Sequence, residues 1–113
     1  MAADALSSQQ FHILLALTDD DRHGYGIIQE VLVRTGGAVR LNTGALYTAI
    51  ARLVGTGLIR ETGRRDADDA RRRYYALTRD GRAALAAEAA RLDALLAQAR
   101  RKGIRPAAAR GRA

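Results

Sequence analysis

Arg64, Arg65, Arg71, Arg72 and Arg73 place five guanidinium groups within ten residues. The guanidinium is well suited to holding phosphate, since it is permanently charged and offers a planar fork of N–H donors. Such a cluster either grips an anionic backbone or forms a solvated charged hairpin, and residue type alone leaves both open. Asp66, Asp68 and Asp69 interrupt the cluster and count against a tip pressed hard onto phosphates. The arginines beside the tip are therefore expected to make contacts, while the aspartates shape the turn or pair with them.

A second set lies upstream. Thr43, Gly44, Tyr47, Thr48, Ala51 and Arg52 recur on one stripe of a helical period, and all but Tyr47 and Arg52 are small. Small and hydrogen-bonding side chains let a helix approach another surface closely, as a helix in a DNA groove must. The plain alternative is an ordinary amphipathic helix with Tyr47 filling its edge. Tyr25 carries two readings of its own, core packing or a hydroxyl offered to a phosphate.

Catalytic sets are missing. The sequence has two histidines, His12 and His23, no cysteine, and no carboxylate pair at the spacing of a recognisable acid–base or metal motif. Both histidines read as structural, and a metal sensor is disfavoured by the poverty of ligands. Gly55, Gly57 and Gly63 lack a phosphate-loop pattern and read as turn formers. Neither an enzyme nor a cofactor is expected. Lack of cysteine excludes disulfides and fits a reducing compartment.

The formal net charge of +7 points to nucleic acid only if it lies where the partner would sit. Mostly it does not. Residues 100–113 hold six basic groups and no acid, so the first 99 residues carry 13 basic and 12 acidic groups, a net of +1. Local clustering is the better guide, and it selects the five arginines.

The elements that must position these residues follow from periodicity and punctuation. Residues 1–6 read as frayed or as a loose helical extension. Ser7 or Ser8 can cap a short apolar helix through Phe11, Ile13, Leu14, Leu15 and Leu17, ending near Thr18. Asp19, Asp20 and Asp21 form an acidic loop whose charge would suit the positive end of the next helix. That helix runs from about His23 to Arg34, with Tyr25, Ile28, Val31 and Leu32 on a helical period, and stops at Gly36 and Gly37. Val39–Leu41 is a candidate third short strand.

Asn42 or Thr43 caps the next helix, whose apolar stripe is Leu46, Ala49, Ile50 and Leu53, and Gly55 and Gly57 end it. Leu58–Thr62 and Arg72–Leu77 are predicted strands around the polar stretch from Gly63 to Arg71. Helix, glycine stop and arginine-bearing hairpin together spell a recognition helix followed by a wing. Thr78 then caps a final helix to about Lys102, on which Leu85, Ala89, Leu92, Leu95, Leu96 and Ala99 make a coiled-coil-like seam. So much apolar surface on so short a chain predicts pairing with a second copy.

The predicted fold is mainly α with a small β-hairpin. It comprises a winged helix-turn-helix domain (1–78), a long C-terminal dimerisation helix (79–102) and a basic, disordered tail (103–113). One domain of 113 residues has room for a small core but not for a deep enclosed active site. No run approaches the roughly 20 apolar residues of a membrane span, and the N-terminus lacks a signal-peptide pattern, so a cytoplasmic location without membrane association is expected.

The set His23-Gly24-Tyr25-Gly26-Ile27, Gly44-Ala45-Leu46-Tyr47 with Leu53, Gly57-Leu58-Ile59, and Tyr74-Tyr75-Ala76-Leu77-Thr78-Arg79-Asp80-Gly81 resembles the PadR-like family of bacterial transcriptional regulators. The resemblance covers residues 8 to about 100 and is closest to the branch with a short final helix. It implies a homodimer that binds palindromic double-stranded operator DNA, usually as a repressor, often released by a small-molecule effector. Two positions depart from the family pattern: Gly26, where a larger residue is usual, and Thr43, where proline is common. Some members of the branch hold planar drugs between tryptophans, and this chain has none. On this reading Thr43, Gly44, Tyr47, Thr48 and Arg52 face the major groove, while Tyr25 and the five arginines hold phosphates or reach the minor groove. The rival reading is a winged-helix module that docks proteins and does not read DNA sequence.

Overall fold

The computed structural model of the chain describes residues 5–107. Its elements follow in the order α1 (Ser8–Ala16), β1 (Arg22–His23), α2 (Gly24–Arg34), α3 (Thr43–Gly55), β2 (Ile59–Glu61), β3 (Tyr74–Leu77) and α4 (Arg79–Arg101). Three of the helices, α1, α3 and α4, begin where a short side chain satisfies an orphan backbone donor. Ser7 accepts from the Gln10 N–H while the Gln10 side chain accepts from the Ser7 N–H, a capping box. Asn42 accepts from Ala45 N–H at 3.0 Å and Thr78 from Gly81 N–H at 3.0 Å.

The second helix is capped differently. His23 Nδ1 accepts from Gly26 N–H at 3.0 Å, so an imidazole takes the place expected for the acidic loop. Asp19 instead pairs with Arg22 at 3.3 Å, and Arg22 Nε donates to the Ala16 carbonyl closing α1.

The sheet has three strands in the order β1-β3-β2, all antiparallel. Its third member corrects the sequence reading. Residues 39–41 form no strand, and the edge beside β3 is taken by Arg22 and His23, paired with Tyr75 and Tyr74. Two residues are too few to carry a periodicity, so only their partner defines them. In the hairpin Ile59 faces Leu77, Arg60 faces Ala76 and Glu61 faces Tyr75. The strands are shorter than predicted, and the connection between them correspondingly longer.

One core joins every layer. Ile13, Leu14, Ile27, Val31, Leu46, Leu53 and Ile59 are essentially inaccessible, each contributing roughly 1.5–3 kcal/mol by leaving water. The final helix belongs to this core at its start. Gly81, Leu85 and Glu88 are buried, so Thr78 is no boundary between body and helix. Gly81 has no room for a side chain, since a Cβ there would run into the Leu58 carbonyl and within 2.7 Å of Leu77 Cδ1.

Leu85 therefore does not belong to an exposed seam. It packs in the chain's own core, whereas Leu92, Leu95 and Leu96 remain 41%, 46% and 38% exposed. Ala89 is exposed beside them and Ala99 partly so. The N-terminal segment is also less loose than expected at its inner end, where Leu6 packs against the core and its N–H donates to Glu88 Oε1 at 3.3 Å. Of the predicted tail, Gly103 takes the left-handed conformation that ends α4 (φ +87°). Residues 104–107 form no helix or strand, and 108–113 lie outside the described residues, as do 1–4 at the other end.

Candidate nucleic-acid interface

The exposed side of α3 follows from its buried one. Leu46, Ala49, Ile50 and Leu53 face the core, which turns Thr43, Gly44, Tyr47, Thr48, Ala51 and Arg52 outward. Val54, 41% exposed, joins them and was not singled out from the sequence. Thr48 Oγ1 donates to the Gly44 carbonyl at 3.1 Å, so its methyl group and its hydroxyl oxygen's remaining lone-pair capacity are what it can offer a partner.

Tyr47 stands beside α2. Gly24 is buried beneath its ring, with the Tyr47 Cζ only 2.7 Å from where a Gly24 Cβ would be. One turn of sequence thus shapes two helices. Tyr25 is 61% exposed, which settles its alternatives against core packing, and its hydroxyl accepts from Gln29 Nε2 at 2.9 Å. Tyr25, Tyr47, His23, Arg71, Arg72 and Arg73 line one cleft between the helices and the wing. The structure therefore brings Tyr25 to Arg71, Arg72 and Arg73, whereas Arg64 and Arg65 do not line this cleft.

Within the wing, carboxylates hold most of those arginines. Glu61 accepts from Arg73 Nη1 at 2.8 Å and from Arg65 Nη2 at 3.2 Å, and the Arg73 bond is the main influence keeping the Glu61 carboxyl below its ordinary range. Arg72 donates to Asp66 at 3.2 Å. Tyr74 is buried, and its hydroxyl donates to both Asp66 oxygens at 3.0 and 3.1 Å. Arg64 lies over the Tyr74 ring at 4.0 Å from its centroid, a cation–π contact. Arg71 is the freest of the five, with a side chain 96% exposed and one loose 3.8 Å approach to Asp69.

Asp69 also accepts from the Arg71 N–H at 3.1 Å, while Asp66 turns inward, so these two aspartates both shape the tip and pair with its arginines. The wing is consequently less positive than its arginine count suggests. The two Glu61 pairs lie at the surface, where ion pairs are weak, so a phosphate can displace that carboxylate cheaply.

The network reaches back to α2. His23 meets the Tyr74 ring edge-on, centroids 5.1 Å apart, so the residue capping α2 also braces the wing. Burial, then the nearby Arg72 charge, lowers the His23 pKa, which keeps Nδ1 an acceptor. Among the described residues, no group of His, Cys, Asp and Glu could hold a metal ion, and no helix is long and apolar enough to cross a membrane.

Sequence reasoning had no signal for Gly24 and Gly81 as contact points, because each depends on a neighbour distant in sequence. His23 was read as a structural histidine at the entry of the second helix, with no signal for its contact with Tyr74. Gln9 was not singled out, although it lines a groove with Thr48 and Arg52 on the other side of α3.

The family model "Transcriptional regulator PadR-like family" matches residues 13–87. Among solved structures, a transcriptional regulator from Clostridium thermocellum is similar with a TM-score of 0.72 and 24% identity, covering 85% of this chain and 92% of the other. A PadR family transcription regulator from Clostridium difficile gives 0.70 at 23% identity, covering 84% and 97%. RosR from H. salinarum gives 0.61 at 30% identity, covering 86% and 80%. No curated protein matches the chain.

Proposed function

The chain belongs to the PadR-like family of transcriptional regulators and is not an enzyme, and from that premise we propose that it is a homodimeric repressor of palindromic operator DNA. The observation that carries the reading is the cleft in which Tyr25 of α2, Tyr47 of α3 and Arg71, Arg72 and Arg73 of the wing converge. Helix α3 enters the major groove with Thr43, Gly44, Tyr47, Thr48 and Arg52, and the small residues permit close approach. Tyr25 and the arginines, including Arg64 and Arg65, hold the phosphates that flank it, releasing counterions as they do so.

Two copies pair through Ala89, Leu92, Leu95, Leu96 and Ala99, the exposed remainder of the seam. Each copy reads a half-site, and the two half-sites lie about 34 Å apart, one turn of the duplex. Release by a small-molecule effector, which rests on the family resemblance, and a cytoplasmic location complete the reading.

Selecting bound sequences from a random duplex pool tests this directly. A palindrome with half-sites one turn apart is the expected result, and a pool without an enriched motif removes sequence-specific repression. The pairing of the wing arginines with Glu61 and Asp66 favours one second reading, a protein-docking module. Fluorescence anisotropy with promoter DNA at two salt concentrations, on a chain lacking residues 103–113, separates them. A docking module retains only weak, sequence-independent affinity.

A further inference from the structure

A helix seated in the major groove, about 12 Å wide, has a phosphate backbone along each of its sides. The wing and Tyr25 occupy one side of α3. The other side holds a groove between the start of α1 and α3, lined by Ser7, Gln9, Gln10, Thr48 and Arg52 together with two alanines of α3. At 3.6 residues per turn, Thr48 and Arg52 lie about 40° apart and both about 100° or more around the helix from Tyr47. The two flanks are thus distinct, and the exposed face bearing Gly44 and Ala51 lies between them.

Two side chains in this groove, Arg52 and Gln9, differ from Arg65, Arg72 and Arg73 of the wing in being uncommitted. Arg52 makes no ion pair among the described residues, unlike Arg65, Arg72 and Arg73, and the Gln9 side chain makes no hydrogen bond there either. Ser7 and Gln10 are occupied with each other in the capping box. A permanent cation and a free amide therefore face one groove, next to the surface that a duplex would cover.

We propose that Arg52 and Gln9 form a second backbone clamp, holding a phosphate of the strand opposite the one gripped by the wing. Arg52 then positions α3 and does not read a base, while Gln9 brings α1 into the DNA interface. Clamped on both flanks, a helix with so few long side chains is held close enough to the bases for Tyr47, Gly44 and Ala51 to matter. The inference rests on the DNA-binding reading above and refines it.

The test uses the full chain, a duplex selected from the random pool and a scrambled duplex of equal length, with anisotropy measured across a salt series. Arg52→Gln is expected to weaken both duplexes alike, about tenfold for one charged hydrogen bond, and to flatten the salt slope by about one. Arg52→Lys retains the slope. Gln9→Glu, which sets a carboxylate in the groove, weakens both duplexes as well, whereas Tyr47→Ala lowers the preference for the selected duplex.

An Arg52→Gln chain with an altered base preference and an unchanged slope makes Arg52 a base reader and overturns the clamp. Wild-type behaviour of both Arg52→Gln and Gln9→Glu takes the groove off the DNA while leaving the function intact. A wild-type chain with no preference between duplexes overturns the operator reading yet still reports the slopes, and one that binds neither duplex overturns both.

Discussion

The Tyr47 ring rests on Gly24 so closely that a methyl group there would overlap the phenol, with Cζ at 2.7 Å. The glycine at the start of α2 thereby sets the position of the aromatic group at the centre of the α3 surface. A phenol end can swing aside where backbone could not, so Gly24→Ala should leave the fold intact and displace Tyr47. We expect operator affinity to fall about tenfold, the cost of misplacing one good contact. Thermal unfolding should change little, since alanine is the better helix former. Wild-type affinity in anisotropy would show that Tyr47 does not depend on its seat.

Gly81 gives the opposite outcome for the same substitution. A Cβ at Gly81 meets the backbone carbonyl of Leu58, which is itself tied to Thr78 N–H at 3.1 Å and cannot yield. Gly81→Ala is expected to cost about 1–3 kcal/mol by overpacking, read from urea unfolding. A neutral result would mean that α4 can shift away from the hairpin.

His23 should make stability depend on pH. Its neutral Nδ1 caps α2, and its pKa is lowered first by burial and then by Arg72. A group whose folded pKa lies below its unfolded value of about 6.5 binds protons more readily when unfolded. Stability is then full above that pH and declines as pH falls from it toward the folded value. His12 is lowered in the same direction by burial and by Arg34, so the two must be separated. His23→Asn keeps a capping side chain without the titration and is expected to reduce the acid-side loss of urea midpoint; an unchanged loss would assign it to His12.

Glu61 restrains two wing arginines, Arg65 at 3.2 Å and Arg73 at 2.8 Å. Glu61→Gln removes the restraining charge. If those guanidinium groups meet phosphates, binding to every duplex tightens severalfold and the salt dependence steepens. Weaker binding would instead mean that Glu61 holds the arginines in their working positions.

The final helix divides into a core part and an exposed part, and mutation should separate them. Leu92→Asp with Leu96→Asp should produce folded monomers that no longer bind operator, seen by sedimentation and anisotropy. Leu85→Ala should cost about 2–5 kcal/mol of stability and leave the oligomeric state alone, as its side chain lies in the chain's own core. A persistent dimer in the double variant would move the interface elsewhere.

Much of the architecture is written locally and was legible without the structure. Ser7, Asn42 and Thr78 start helices because their side chains reach backbone donors three residues ahead, and Gly36, Gly57 and Gly103 follow helix ends because they tolerate positive φ. The apolar stripe of α3 likewise determined which face was left outward, so its candidate contact residues could be named from spacing alone. Tertiary structure decided what depends on distant neighbours. Arg22 and His23 become a strand only against Tyr74 and Tyr75, and Leu85 parts from Leu92 only because the body covers one end of α4. Five arginines look equivalent in a string, yet Glu61, Asp66 and Tyr74 hold four of them and leave Arg71 loose. Spacing along a chain encodes which side of an element a residue occupies, whereas the partner it meets there is a property of the packing.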